Sequence, residues 1–123
     1  LNCAETVLYA ANEAYGMGLS PEVMKLSSAF GGGMGIENTC GALTASIMVL
    51  GYLFVDRMAH ESALIKQITS DFLEMYEKRM GSIDCGELKK SHRTESEGCK
   101  VVITSALELL DDTVRRNSSR RVR

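Results

Sequence analysis

The chain contains four cysteines, and each of them stands alone in the sequence. Each one closely follows a polar residue of the kind that caps a helix, so we predict that all four lie at helix N-termini. Free backbone N–H groups and the positive end of the helix dipole stabilise a thiolate there. A thiolate is the form of cysteine that binds metals and reacts with disulfides. The four residues are Cys3, Cys40, Cys85 and Cys99.

The spacing of the cysteines excludes the common local motifs. No Cys-x-x-Cys occurs, so the usual sequence signs of a zinc ribbon or a thioredoxin-like site are absent, and no Cys-x-x-Cys-His is present to attach a c-type haem. A site shared by all four cysteines must therefore be assembled by the fold. Such a site would suit an iron–sulfur cluster or a tetrahedral zinc ion, and a set of redox-active thiols or disulfides is the metal-free alternative.

A glycine-rich loop leads directly into the second cysteine. We expect its glycines to adopt positive φ and to bring backbone N–H groups close to the Cys40 sulfur or to a bound cofactor. Asn38 or Thr39 then caps the next helix, which would place Cys40 in its first turn. The loop is also compatible with a tight turn in which Cys40 is a small core residue. The candidate cofactor-binding glycines are Gly31, Gly32, Gly33, Gly35 and Gly41.

Apolar residues recur at helical spacing along most of the chain, which predicts an all-α fold, a compact bundle of about five helices. The uncharged segment after Cys40 is shorter than the roughly 20 residues that span a membrane, so we expect a buried central helix and no transmembrane segment. Another helix is predicted from about Met58 to Met80, and a loop over residues 89–95. Capping residues mark the starts of four further helices: Asn2, Ser20, Asp84 and Ser96.

Length and charge limit the class of protein. A chain of 123 residues with 45% apolar content fits one domain, which we place at residues 1–114, followed by a solvated basic tail at 115–123. The net charge of −2 argues against nucleic-acid binding by the whole domain. No signal peptide is visible, so a cytoplasmic location is expected. An apolar helix in so small a domain favours a homodimer that covers it.

The cysteines and their neighbours resemble the motif of the C_GCAxxG_C_C family, small bacterial proteins described as redox-active. The matching segments are Asn-Cys-Ala at 2–4, Phe-Gly-Gly-Gly-Met-Gly at 30–35, Thr-Cys-Gly-Ala-Leu-Thr at 39–44, Gly-Ser-Ile-Asp-Cys at 81–85 with Leu88, and Cys99 before Val101 and Val102. They cover most of the chain. One departure is Ala45, which stands where the motif has its closing glycine and adds a methyl group to the helix surface.

The resemblance implies an all-helical domain whose shared functional feature is the four cysteines, with relatives that look like the C-terminal part of split-Soret cytochromes. Two hypotheses follow. The first is a redox module that holds an iron–sulfur cluster or another metal, or cycles a disulfide, and exchanges electrons with a redox partner protein. The second is a non-enzymatic structural or protein-interaction domain, stabilised by zinc. His60 and His92 are expected to face solvent, and only His92 merits testing as a ligand.

Overall fold

The computed structural model describes residues 1–123, with the exception of the side chain of Glu61. Within the described chain the regular structure is helical, with two isolated β-bridges and no strand, which confirms the all-α prediction. Short 3-10 turns cover Lys25–Phe30, Ala59–Glu61 and Ser118–Arg120. The six α-helices are α1 (Cys3–Ala14), α2 (Pro21–Met24), α3 (Gly41–Phe54), α4 (Ala63–Met80), α5 (Cys85–His92) and α6 (Lys100–Arg116).

Helix α3 lies in the middle of the bundle. It contacts α1, α4 and α6, and every one of its residues is buried or half-buried. Its apolar side chains point in all directions, so burial on every side is the arrangement that removes the most apolar surface from water. The hydroxyl of Ser46 is fully buried there and is satisfied by donating to the Ala42 carbonyl at 2.7 Å.

Helix α1 begins behind Asn2, as the sequence predicts, and the cap is reciprocal. The Asn2 side chain accepts from the backbone N–H of Glu5 at 2.9 Å, and the Glu5 carboxylate accepts from the backbone N–H of Asn2 at 2.9 Å. The amide of Asn2 also donates to the Ser28 carbonyl at 2.9 Å. This last bond ties the start of α1 to the turn that precedes the glycine loop, and so positions Cys3.

Helices α4 and α5 each differ from the sequence prediction at one end. Helix α4 starts at Ala63 rather than near Met58, because the backbone at Met58 and Ser62 is extended on either side of a short 3-10 turn. It ends as predicted at Gly81, whose φ of 89° closes the helix. Helix α5 continues through His92, so much of the loop predicted for residues 89–95 is helical.

The C-terminal residues lie against the bundle rather than fraying. Helix α6 runs through Arg116, and beyond it the backbone N–H of Val122 donates to the Leu53 carbonyl at 2.8 Å. The guanidinium groups of Arg121 and Arg123 lie over the rings of Tyr15 and Tyr52, at 5.8 and 5.2 Å from the ring centroids. The division of the chain at residue 115 stays a prediction.

None of the helices over the described residues combines the length and the apolar character that crossing a lipid bilayer requires.

Candidate functional site

Each cysteine lies at the start of a helix. Cys3 and Cys85 are the first residues of α1 and α5, whereas Cys40 and Cys99 occupy the N-cap positions of α3 and α6. Cys40 and Cys99 therefore lie at the N-cap itself and not inside the first turn, where caps at Asn38 or Thr39 and at Ser96 would have placed them. Backbone N–H groups of a helix start lie close to the sulfurs of Cys3 and Cys40.

Local structure explains why α3 and α6 start later in the chain than predicted. Thr39 pairs with Asp84 in a β-bridge, so the chain before Cys40 is extended and neither Asn38 nor Thr39 caps α3. Before α6, the backbone groups of Thr94 and Gly98 bond each other at 3.1 and 2.8 Å. That turn occupies the residues that Ser96 would need to cap a helix.

The bridge at Thr39 and Asp84 also joins two of the cysteines. The backbone N–H of Cys40 donates to the Ile83 carbonyl at 2.8 Å, and the backbone N–H of Cys85 donates to the Asn38 carbonyl at 2.6 Å. The starts of α3 and α5 are therefore held side by side. Nothing local in the sequence signals this pairing, because it joins segments that are distant along the chain.

Two glycines of the loop, Gly31 and Gly33, pack closely against residues of the site. A Cβ atom on Gly33, whose φ is 61°, would lie 2.7 Å from the Cβ of Cys85. A Cβ atom on Gly31 would overlap the side chain of Asn2. Gly35 differs, since a Cβ there would meet nothing within 4 Å. Of the loop glycines, Gly35 thus shows no close approach to the site.

Gly41 brings the start of α3 against Cys3. A Cβ atom at this position would lie 2.8 Å from the Cys3 sulfur and 2.8 Å from the Phe30 carbonyl oxygen. Such distances are shorter than any carbon–sulfur or carbon–oxygen contact tolerates. A residue without a side chain is therefore required for Cys3 to approach α3 this closely.

All four cysteines line one cavity of about 300 Å³. Cys40 and Cys85 are buried in its wall, whereas Cys3 and Cys99 are half-buried. The sequence prediction that the cysteines converge is supported by this cavity. Asn2, Gly32, Leu88 and Val102 also line it and were named in the sequence analysis. The remaining lining residues, which sequence reasoning did not single out as part of a site, are Leu1, Lys89, Arg93 and Ile103.

Cys3 and Cys40 form a hydrogen-bonded pair of thiols. The Cys40 thiol donates to the Cys3 sulfur, and this bond is the largest of the effects that lower the pKa of Cys3 to about 5. Burial opposes the shift, and backbone N–H groups of Gly32, Ala4 and Ala42 support it. The bond to Cys3 and then burial raise the pKa of Cys40. The two thiols therefore share one proton, and Cys3 is the more accessible of the two sulfurs.

The surroundings of Cys85 disfavour a second thiolate. Burial raises the pKa of the Cys85 thiol, and the nearby charge of Lys89 only partly opposes this. Tyr76 lies beneath the site, and its hydroxyl donates to the Val102 carbonyl at 3.2 Å. Burial, followed by the charges of Cys40, Cys99 and Cys3, raises the pKa of this phenol, so it stays a neutral donor.

The cysteines do not form a metal site as their side chains are placed. Among the described side chains, no group of three or more His, Cys, Asp or Glu residues is arranged to hold a metal ion. His60 is exposed, as expected, but His92 is half-buried, with Nε2 2.9 Å from the Met80 carbonyl oxygen. His92 is thus engaged by the backbone and is absent from the cavity lining.

A family model described as "Putative redox-active protein (C_GCAxxG_C_C)" matches residues 1–113. The chain belongs to the C_GCAxxG_C_C family. No curated protein and no solved structure gives a significant match. Membership confirms the resemblance found in the sequence and supports a redox role for this C_GCAxxG_C_C protein in general terms.

Proposed function

We propose that this protein is a dithiol–disulfide exchange protein in which Cys3 is the nucleophile and Cys40 the resolving thiol. One observation carries the proposal: Cys3 and Cys40 line the same cavity, and the start of α3 lies so close to the Cys3 sulfur that residue 41 has no room for a Cβ atom. The lowered pKa of Cys3 agrees with this arrangement. A half-buried thiolate beside a protonated second thiol is the arrangement that disulfide exchange requires.

The exchange proceeds in two steps, and its oxidant is a disulfide of another molecule. The Cys3 thiolate attacks one sulfur of that disulfide, forms a mixed disulfide and releases the other half as a thiolate. Cys40 then loses its proton to that thiolate and attacks the Cys3 sulfur, which displaces the second half. The protein ends with a Cys3–Cys40 disulfide, and the substrate ends as one thiol and one thiolate that takes its proton from water, after a transfer of two electrons.

A trapping experiment tests the roles of the two thiols. In the Cys40→Ala variant, the mixed disulfide on Cys3 cannot be resolved, so treatment with bis(2-hydroxyethyl) disulfide should leave a stable adduct on Cys3, located by peptide mass spectrometry. In the Cys3→Ala variant, no adduct should form at comparable rate. An adduct that forms first on Cys85 or Cys99 in both variants would overturn the proposal.

A metal centre on the four cysteines is the second candidate, favoured by their common cavity. The four thiols would have to rotate away from their present positions, because the described side chains form no metal-binding group. Four sulfur ligands would suit an iron–sulfur cluster or zinc, and zinc would also suit a purely structural domain. Visible absorption and metal content of protein purified without air separate these from free thiols.

The same reasoning leads to proposals for the cellular compartment and for the redox partner. A thiol pair that starts its cycle reduced suits the cytoplasm, where thiols are kept reduced, so a cytoplasmic location remains our prediction. The redox partner is any molecule that restores the Cys3–Cys40 dithiol. A reductant with a dithiol of its own would do so by the reverse of the two steps above.

A further inference from the structure

Two cations stand at the cysteine cavity. Lys89 and Arg93 line it, and they lie one turn apart at the C-terminal end of α5, so both reach the same side of the helix. The Lys89 ammonium pairs with the Glu37 carboxylate at 3.2 Å. Within the described side chains, Arg93 has no ion-pair partner and is exposed. A guanidinium that lines the same cavity as the cysteines is therefore open to an anion.

The same two cations also line a neighbouring groove. This groove measures about 530 Å³ and adjoins the cysteine cavity through Lys89 and Arg93. It contains one carboxylate, that of Glu95, and a third cation, Lys90, which pairs with Glu87 at 3.6 Å. Among the lining residues of the groove, three cations stand against one carboxylate, although two of these cations are paired with carboxylates outside the lining.

The lining of the cysteine cavity also includes apolar side chains. Leu88 and Val102 are buried in it, and Ile103 and Leu1 are also part of it. A ligand that fits would place an aliphatic stem against these side chains, its sulfur near Cys3 and a negative group at Arg93. Cavities of about 300 to 1,000 Å³ are of the size that small molecules occupy, whereas a folded protein surface would contact a wider area.

We infer that the preferred disulfide is a small molecule with carboxylate groups a few bonds from its sulfurs. This inference rests on the exchange activity proposed above and names its substrate class. The carboxylate binds at Arg93 and Lys89 while the Cys3 thiolate attacks the nearer sulfur. One carboxylate-bearing thiol leaves in each of the two steps, and the Cys3–Cys40 disulfide is the other product.

A matched pair of probes tests the inference. Bis(2-hydroxyethyl) disulfide is neutral, and 3,3′-dithiodipropionate is of similar size but carries two carboxylates. The rate constant for oxidation of the reduced protein by dithiodipropionate is divided by the rate constant for oxidation by bis(2-hydroxyethyl) disulfide. This ratio is then divided by the same ratio for the free thiol 2-mercaptoethanol, which gives the normalised ratio. The net charge of −2 would by itself disfavour the anion, so a normalised ratio above one must come from local cations.

We expect a normalised ratio of roughly five in favour of the dianion, decreasing as salt is added, which is the size of effect that a few exposed charges produce. Arg93→Gln and Lys89→Gln should each lower it by about two- to fivefold. Glu37→Gln, which frees Lys89 of its partner, should raise it. Lys78→Gln is the control, because it removes the same charge from α4, away from both cavities.

The outcomes separate this inference from the proposed exchange activity. The substrate class is overturned if the normalised ratio is near one. It is also overturned if Arg93→Gln and Lys78→Gln change the ratio equally. Neither result contradicts the exchange activity. Failure of both disulfides to oxidise Cys3 overturns both. A disulfide within an acidic peptide that reacts far faster than dithiodipropionate would assign the cations to a protein partner and overturn the small-molecule inference.

Discussion

The chemistry of Cys3 depends on what surrounds one sulfur atom. Its strongest partner is the thiol of Cys40, and the backbone of Gly32 and of the first turns of α1 and α3 supplies further donors. Such donors stabilise the thiolate over the thiol and therefore lower the pKa. The approach of α3 to Cys3 is possible only because residue 41 has no side chain.

Gly41→Ala should disturb Cys3 directly. The added methyl group would lie 2.8 Å from the Cys3 sulfur, so the sulfur must shift away from its donors and its pKa should rise. Overpacking of this kind costs about 1–3 kcal/mol of the free energy of unfolding. Urea unfolding and the pH dependence of Cys3 alkylation measure the two effects.

Gly51→Ala is the matched control within the same helix. A Cβ atom there meets nothing within 4 Å, so the substitution should stabilise the protein by about 0.5–1 kcal/mol through helix propensity. It should leave Cys3 alkylation unchanged. Equal effects of the two substitutions on Cys3 would contradict the close-approach argument.

At the scale of elements, the glycine loop and the Thr39–Asp84 bridge position the cysteines. Backbone bonds from both sides of the bridge hold the starts of α3 and α5 together, and Gly33 lets the loop lie directly on Cys85. The helices themselves contribute only their N-terminal ends to the site. The geometry of the site therefore depends on loops that a packed core keeps in place.

Gly33→Ala should cost more stability than Gly35→Ala. Both residues have positive φ, of 61° and 75°, so alanine is strained at either position by about 1–2 kcal/mol. Only at Gly33 would the methyl group also meet the backbone of Asn38 and the Cβ of Cys85. We expect a further loss of about 1–3 kcal/mol there, measured by urea unfolding. Identical losses would show that the loop does not pack on the site as described.

Elements with local signals could be predicted from the sequence. Asn2 caps α1, Pro21 starts α2 behind Ser20, and Gly81 ends α4, each through chemistry contained within a few residues. The start of α3 was missed because Thr39 is drawn into a bridge with a residue far along the chain. The start of α6 was missed because the turn that ends at Gly98 competes with a cap.

The sequence indicates which cysteines form the site, but not which two of them interact as a pair. The cap-type residues before the cysteines predicted four helix starts, although only Asn2 caps its helix, and the structure brings all four cysteines to one cavity. Which two thiols share a hydrogen bond depends on how α1 and α3 cross, and the sequence carries no local sign of that. Lys89 and Arg93 were not singled out for the same reason, since solvent-facing charges on a helix are ordinary.

For the whole molecule, the lowered pKa of Cys3 predicts how stability depends on pH. The folded thiol titrates at about 5, whereas an unfolded thiol titrates at about 8.5, so between these values the unfolded state binds more protons. Stability of the reduced protein should therefore fall as pH is lowered from about 8 to 5. Cys3→Ala should lack this part of the pH dependence, and parallel curves would contradict the prediction.

The homodimer remains a prediction, but the structure changes the reason to expect it. Helix α3 is already covered by its own neighbours, so it needs no second copy. Large apolar side chains are nevertheless exposed elsewhere, with Leu26 at 68% and Ile36 at 71% of their full accessibility. We expect light scattering at tens of micromolar to give twice the 13.4 kDa of one chain, and Leu26→Glu to lower it. A mass of one chain in the unmodified protein would contradict the dimer.

The central claim is that Cys3 is a thiolate because Cys40 donates to it, and the pH dependence of Cys3 alkylation tests this most directly. Iodoacetamide modification of reduced protein, followed by peptide mass spectrometry, should show a midpoint for Cys3 near pH 5, and Cys40→Ala should move it upward. Unfolded protein supplies the reference, with an alkylation midpoint at about pH 8.5. A Cys3 midpoint near that reference in the folded wild-type protein, unchanged by Cys40→Ala, would contradict the account.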